Sequence, residues 1–319
     1  MKVLITGGAG FIGSHLAEHY VAAGHSVSIL DNFFSGNQRN LDSLNGQVNI
    51  NIGDIRDAEL VGSLVKCSDL VIHMAAALGV ETILSSPLES ISTNIFGSEI
   101  VLKAALEFDK RILIASTSEV YGKNPKQPLS ETDDRVVGAP QKIRWTYSDS
   151  KAIEEATAYA MFKDSGLKVT TVRFFNTVGP RQASNYGMVL PNFIRAALSN
   201  QDVRVYGNGN QTRVFCHVFD AVSAVGKLLS TDTSIGEVFN VGGITEISMN
   251  TLADLVVART NSNSSIIHVP YDEAYLEGFE DMQRRVPDIT KIKSFCNWEP
   301  TFRIESIIDS IAMEMKISH

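Results

Sequence analysis

Tyr147 and Lys151 stand four residues apart in Tyr147-Ser148-Asp149-Ser150-Lys151. On a helix that spacing puts both side chains on one face. An ammonium beside a phenol favours the phenolate, because the positive charge stabilises the anion. A tyrosine tuned in this way can take a proton from an alcohol near neutral pH while a hydride leaves the same carbon. Both residue types are common, so the pair alone also fits a half-buried helix tyrosine with a solvated neighbour. Its weight comes from the far N-terminus, Gly7-Gly8-Ala9-Gly10-Phe11-Ile12-Gly13. These glycines fall in Gly-x-x-Gly-x-x-Gly spacing between an apolar run, Lys2–Thr6, and a helical pattern from Phe11. Glycine permits the tight turn and the close backbone approach, and a helix N-terminus favours a pyrophosphate. Asp31 closes the next apolar run. A carboxylate there accepts from a ribose diol and repels a 2′-phosphate, so the pattern predicts NAD rather than NADP. Asp54-Ile55 ends a third run and is placed to flank the adenine.

The elements that must hold these residues alternate. Strands are predicted at Lys2–Thr6, Ser26–Leu30, Val48–Ile52, Asp69–Met74, Arg111–Ala115 and Lys168–Phe174. Helices are predicted at Phe11–Ala23 and near 57–66, 87–108 and 146–165. Such alternation implies a parallel sheet covered on both faces. The fold class is therefore α/β: a Rossmann doubly wound parallel sheet with a smaller C-terminal α/β substrate domain. The texture changes after Asn176. Helices are expected near 190–199, 218–230, 249–260 and 304–316, with strands at 203–206, 214–216, 238–241 and 265–269. Residues 1–175 are assigned to the cofactor domain, together with 214–242. Residues 176–213 and 243–319 are assigned to the substrate domain, with the site between the two.

The chain has 319 residues, 44% of them apolar, enough for one large domain plus a smaller one. Its net charge is -8 and it has no Lys/Arg run, which argues against nucleic acid as a partner. Three cysteines without a Cys-x-x-Cys suggest neither a disulfide framework nor zinc. The histidines form no metal-binding pair, so no metal is expected. The first apolar stretch is too short for a signal sequence and no run is long enough to span a bilayer. A soluble cytoplasmic protein is expected.

Taken with these residues, the chain resembles the extended short-chain dehydrogenase/reductases that act on nucleotide sugars. The marks are Thr6 to Ser14, Asp31-Asn32, His73-Met74-Ala75-Ala76, Thr93-Asn94, Ser116 to Gly122, the Tyr147/Lys151 pair, Arg173 to Asn176, Gly179-Pro180-Arg181, Gln211-Thr212-Arg213, Arg285 to Asp288 and Trp298-Glu299-Pro300. The resemblance covers essentially the whole chain. It implies a retained NAD that oxidises the sugar at C4, chemistry at the resulting ketone, and return of the hydride. It implies cofactor contacts from Gly7, Gly10, Phe11, Ile12, Gly13, Asp31, Asn32, Ser35, Gly36, Asp54, Ile55, Ala75, Asn94, Tyr147 and Lys151. It implies a nucleoside-diphosphate sugar, most readily a UDP-sugar, held by Asn176, Val205, Tyr206, Arg213 and Arg285. It also implies a homodimer through helices near 87–108 and 150–165, although core packing within one chain would leave the same pattern.

Within the family, Thr117-Ser118-Glu119, Arg144-Trp145 and the tail from Gly278-Phe279 through Asp288 look like UDP-glucuronate decarboxylases, which make UDP-xylose. Thr117 would hydrogen-bond the hydroxyl being oxidised. Glu119, with Ser118, would handle a proton or a water at C5; a carboxylate past a strand end is also often simply solvated. Arg285 would hold the diphosphate or a substrate carboxylate. The stretch Ala77 to Thr82 is closer to epimerases, so a UDP-sugar 4-epimerase is the alternative reading. A 4,6-dehydratase stands behind it. A non-catalytic NAD-binding regulator is the remote alternative, because folds of this kind also serve as sensors.

Overall fold

The computed structural model describes residues 1–79, 86–182, 188–270, 282 and 284–317. Val80–Thr82, Asn185–Gly187 and Gly278-Phe279 lie outside the described residues. The chain begins with β1 (Lys2–Thr6), α1 (Phe11–Ala22), β2 (Ser26–Asp31), β3 (Val48–Ile52), α2 (Ala58–Lys66) and β4 (Leu70–His73). A helical run follows: α3 (Pro87–Ser92), a π-turn (Thr93–Gly97) and α4 (Ser98–Glu107). Next come β5 (Arg111–Thr117), a 3-10 turn (Ser118–Tyr121), α5 (Thr146–Ser165), β6 (Val169–Phe174) and β7 (Thr177–Val178). The remainder is α6 (Val189–Leu198), β8 (Val203–Tyr206), β9 (Thr212–Val214), β10 (Cys216–His217), α7 (Val218–Leu229), β11 (Val238–Val241), β12 (Glu246–Ser248), α8 (Met249–Thr260), β13 (Ile266–Val269), α9 (Thr290–Cys296) and α10 (Ile304–Ile317).

The main sheet has seven strands in the order β11-β6-β5-β4-β1-β2-β3, and every pairing is parallel. Its central strands are apolar on both faces, with Leu4, Ile5, Ile72, Leu113 and Ile114 fully buried. A strand that is apolar throughout must be covered on both sides, and helices do the covering. Strand order reverses between β1 and β4. In open α/β sheets that switch point is where ligands bind, outside the carboxyl ends of the strands.

The C-terminal lobe has its own core, in which Leu190, Phe193 and Ile194 of α6 pack with Leu252 and Val256 of α8 and Ile308 and Ile311 of α10. Small pairs brace it: β8 with β13 in parallel, and β9 with β12 antiparallel. β11 belongs to the main sheet, beside β6.

Three departures from the sequence reading have clear causes. The helix expected at 87–108 is interrupted by the π-turn. Asn94 turns inward there, donating from Nδ2 to Ala77 O at 3.0 Å and accepting at Oδ1 from Ala77 N at 2.7 Å. The strand expected at 214–216 is two strands, because β9 pairs with β12 while β10 pairs with β7. Helix α9 was not foreseen; it is short, and its apolar anchor is Ile292. No described helix is long and apolar enough to cross a membrane.

Candidate active site

A cleft of about 1750 Å3 runs along the carboxyl ends of the main-sheet strands and into the C-terminal lobe. Its first stretch is the glycine turn. Gly7 has φ +69°, and a Cβ there would lie 2.6 Å from Ala75 N. Gly13 would meet the carbonyl of Gly7 in the same way. Only glycines let this turn close and leave the α1 N-terminus bare. Gly7, Gly10, Phe11, Ile12 and Gly13 line the cleft, as do Asn32, Ser35, Gly36, Ile55 and Ala75.

Asp31 ends β2 and is largely buried. Its Oδ2 accepts from Ala9 N at 2.9 Å and its Oδ1 from Phe33 N at 2.8 Å. Burial raises its pKa, against those two backbone donors. One carboxylate thus ties the glycine turn to the following loop and still faces the cleft. Asp54 does not line the cleft. Arg56 takes its carboxylate, from Nε at 2.9 Å and Nη2 at 2.8 Å. The hydrogen bonds from Arg56 outweigh the burial penalty and bring Asp54 down to about 2. Ile55 and Arg56 form that part of the wall instead. Asn94 is also set back, bridging the Ala77 loop and Ser150, with Nδ2 at 3.3 Å from Ser150 Oγ.

Across the cleft, β5 delivers Thr117 and the 3-10 turn delivers Ser118 and Glu119. Thr117 Oγ1 accepts from Glu119 N at 3.2 Å, which caps the turn. Ser148 of α5 donates to Glu119 O at 2.8 Å, locking the turn to the helix that carries Tyr147. The Glu119 carboxylate sits between two guanidiniums: Arg285 Nη1 on one side and Arg144 Nη2, at 2.6 Å, on the other. Burial opposes its charge, but Arg285 and then Arg144 outweigh burial and bring its pKa to about 2. Arg285 Nη2 also donates to Asn176 Oδ1 at 2.8 Å, and Asn176 Nδ2 donates to Val214 O at 2.9 Å. Two arginines, one glutamate and one asparagine therefore converge where the sheet ends meet the C-terminal lobe.

Tyr147 lines the cleft beside Thr117, Ser118 and Glu119. Burial raises its pKa, and the anions of Glu154 and Glu119 push the same way. Lys151 lies deeper on α5. Its Nζ donates to Glu154 Oε2 at 2.7 Å, and both side chains are almost wholly buried. The ammonium expected to favour the phenolate is paired with Glu154 instead, and the Tyr147 hydroxyl is pushed up rather than down.

Of the expected substrate residues, Asn176, Tyr206, Arg213 and Arg285 line the cleft. Val205 does not: it is fully buried in the C-terminal core, because alternate residues of β8 face opposite ways. Other cleft residues had no role in the sequence reading: Arg39 and Arg56 were not singled out, and Arg144 and Arg181 stood there only as marks of the resemblance. Arg144 carried a further signal, since it stands three residues before Tyr147. Glu154 carried one too, three residues after Lys151. Arg39 has none in a single sequence.

A doubly wound sheet, a glycine cradle at its switch point and a tyrosine facing a polar cleft, with a lysine four residues on along the same helix, define a short-chain dehydrogenase/reductase of the extended kind. A family model described as GDP-mannose 4,6 dehydratase matches residues 4–311, and the chain belongs to that family of nucleotide-sugar enzymes, which works with NAD. It is 46% identical over 303 residues to UDP-N-acetyl-alpha-D-glucosaminuronate decarboxylase of Bacillus cytotoxicus, covering 94% of this chain and 92% of that one. It is 36% identical to UDP-glucuronic acid decarboxylase 1 of Xenopus tropicalis, over 95% of this chain and 69% of the other. The structure of UDP-glucose 4-epimerase from Thermotoga maritima, with UDP-glucose, superposes with a TM-score of 0.89 at 28% identity, covering 100% of this chain and 99% of that one.

Proposed function

We propose that this chain decarboxylates a UDP-linked glucuronic acid, with NAD retained as the hydride carrier. The observation that carries the reading is the Arg144–Glu119–Arg285 cluster at the cleft, next to Thr117 and Tyr147. Two guanidiniums meet at one carboxylate in a largely buried place beside Thr117 and Tyr147, and guanidinium forks pair with carboxylates, so the cluster suits the carboxylate of a uronic acid.

The cradle of Gly7 and Gly13, where a Cβ would strike backbone, fits a pyrophosphate, and Asp31 fits the adenosine ribose. Held there, NAD would supply hydride chemistry at C4 of the sugar. Tyr147 removes the proton of the C4 hydroxyl, and Thr117 hydrogen-bonds the same oxygen. The ketone so formed lies β to the C6 carboxylate, so loss of carbon dioxide leaves a resonance-stabilised enolate. Glu119 acts as an anion throughout, since Arg285 and Arg144 hold its pKa near 2. It orients both arginines and, with Ser118, a water that delivers the proton to C5. Asn176 and Arg213 hold the diphosphate end.

The sugar has two candidates. Sequence reading gives UDP-glucuronate, with UDP-xylose as product. The 46% identity to the Bacillus enzyme favours the 2-acetamido sugar for which that enzyme is named. The deciding assay supplies each nucleotide uronate labelled at C6, traps carbon dioxide and identifies the product by NMR. Label in the trap is the expected result. A C4-inverted sugar nucleotide with no carbon dioxide overturns the reading and promotes the 4-epimerase. The chain is further proposed to work as a homodimer. Leu88, Phe96, Ile153 and Tyr159 are exposed on α3, the π-turn and α5, which pack together. A shared helical face would cover them.

A further inference from the structure

Beneath Tyr147 lies a line of buried polar groups that the proposed chemistry does not use. Lys151 Nζ donates to Glu154 Oε2 at 2.7 Å. Ser98, at the start of α4, acts on the Glu154 carboxyl and lowers its pKa. Ser98 Oγ lies 2.9 Å from His73 Nε2, and His73 Nδ1 lies 2.7 Å from Thr6 Oγ1. Thr6 Oγ1 in turn accepts from Ala75 N at 3.3 Å. Thr6 and His73 are partners in the β1–β4 register, at the switch point of the sheet. The remaining Glu154 oxygen, Oε1, is buried with no hydrogen-bond partner.

One assignment of protons satisfies this chain end to end. Ala75 N–H donates to Thr6, whose hydroxyl donates to His73 Nδ1. His73 Nε2–H donates to Ser98. Every donor then points the same way, and the neighbouring Glu154 carboxylate accepts from Lys151. An ionised glutamate accepts only, and so fits. A neutral His73 is required, and burial, with help from the Lys151 charge, holds its pKa down to about 3. Burial pushes Glu154 up, and Lys151 and Ser98 oppose that. The charged or titratable groups around the pair are Tyr147 and Glu155 on α5 and His73 on β4, with Glu119 beyond Tyr147.

We propose that Glu154 is a positioning residue for the reaction: beside the Thr6–His73–Ser98 chain, it is the buried anion that keeps Lys151 an ammonium one helical turn on from Tyr147. A buried ammonium without a counter-ion readily gives up its proton, and the charge that should assist the phenolate would then be gone. The inference deepens the proposed activity and rests on it for its catalytic consequence, but the charge state of Lys151 is measurable without substrate.

The experiment uses the full chain with its retained cofactor and lysine labelled with 13C at Cε; Lys151→Arg assigns the resonance. In the wild type that resonance is expected to stay at its ammonium position from about pH 6 to 9.5, and in Glu154→Gln to titrate inside that window. The pH profile of kcat should follow, with the basic limb of Glu154→Gln brought down and kcat near pH 9 reduced roughly tenfold or more. Glu154→Asp, which keeps the charge, should restore the limb; Glu154→Gln keeps the shape and should not. Ser98→Ala should show a smaller displacement in the same sense, and it carries the test if Glu154→Gln does not fold. A Lys151 resonance that stays charged in Glu154→Gln and Ser98→Ala overturns the proposal. So does an equal loss of kcat at all pH values in the Gln and Asp variants. If the wild type releases no carbon dioxide from either uronate, the activity reading fails while the resonance still reports on Glu154.

Discussion

At the scale of single residues the site is a set of charge decisions. Tyr147 works through its hydroxyl, so Tyr147→Phe should abolish turnover while sugar-nucleotide binding stays within roughly tenfold of wild type. Binding by calorimetry and turnover by product NMR separate the two, and near-normal turnover would remove Tyr147 from proton transfer. Glu119 makes a pH prediction. Its folded pKa is about 2, below the ordinary carboxylate value, because Arg285 and Arg144 overcome burial. The stability it contributes is present above the unfolded pKa and is lost as pH falls from about 4.5 towards 2. Glu119→Gln should therefore flatten the acid limb of the melting temperature in that window. An unchanged slope would mean that the arginines do not favour the anion. The sequence reading brought Glu119 and Arg285 to the same chemistry through resemblance; 166 positions separate them, and no local pattern joins them.

At the scale of elements, the π-turn in the helical run between α3 and α4 has a cause in Asn94. Its side chain pairs with both backbone groups of Ala77, at 2.7 and 3.0 Å, and so fixes the loop that leaves β4 for the cleft. Replacing it by alanine leaves a donor and an acceptor without that partner. Asn94→Ala should cost about 1–3 kcal/mol, read as a lower urea midpoint. A midpoint like the wild type's would show that the loop holds itself. Helical periodicity predicted one helix here, because a π-turn keeps the apolar spacing almost intact. The 3-10 turn at 118–121 was equally invisible, since its order comes from Thr117 and Ser148 rather than from propensity.

At the scale of the whole molecule, the two lobes share one cleft and the cofactor end is set by Asp31. Titration should show NAD bound well ahead of NADP, and Asp31→Asn should narrow that gap. Equal affinities in the wild type would sink the ribose argument, and Arg39, which also lines the cleft, would be the residue to examine. The exposed apolar face of Leu88, Phe96, Ile153 and Tyr159 makes a second prediction. Sedimentation should report a dimer, and Tyr159→Glu with Leu88→Glu should shift it to monomer. A wild-type monomer at micromolar concentration would leave that face without a second copy.

The sequence by itself determined what depends on neighbours along the chain. The apolar runs that became β1 to β6, the glycine turn with Asp31 beyond it, and the Tyr147/Lys151 face of α5 are all local patterns with local causes. Asn176, Tyr206 and Arg213 also line the cleft. Tertiary structure decided what depends on distant partners. Val205 went into a core, because the pairing of β8 with β13 and the packing of α6 and α8 choose which side of a strand is inside. Arg144 and Arg285 came together on Glu119, and Lys151 met Glu154 rather than standing alone beside the phenol. The electrostatics of a buried site follow from which charges share the same low-dielectric space, and the fold sets that rather than the spacing of residues in the chain.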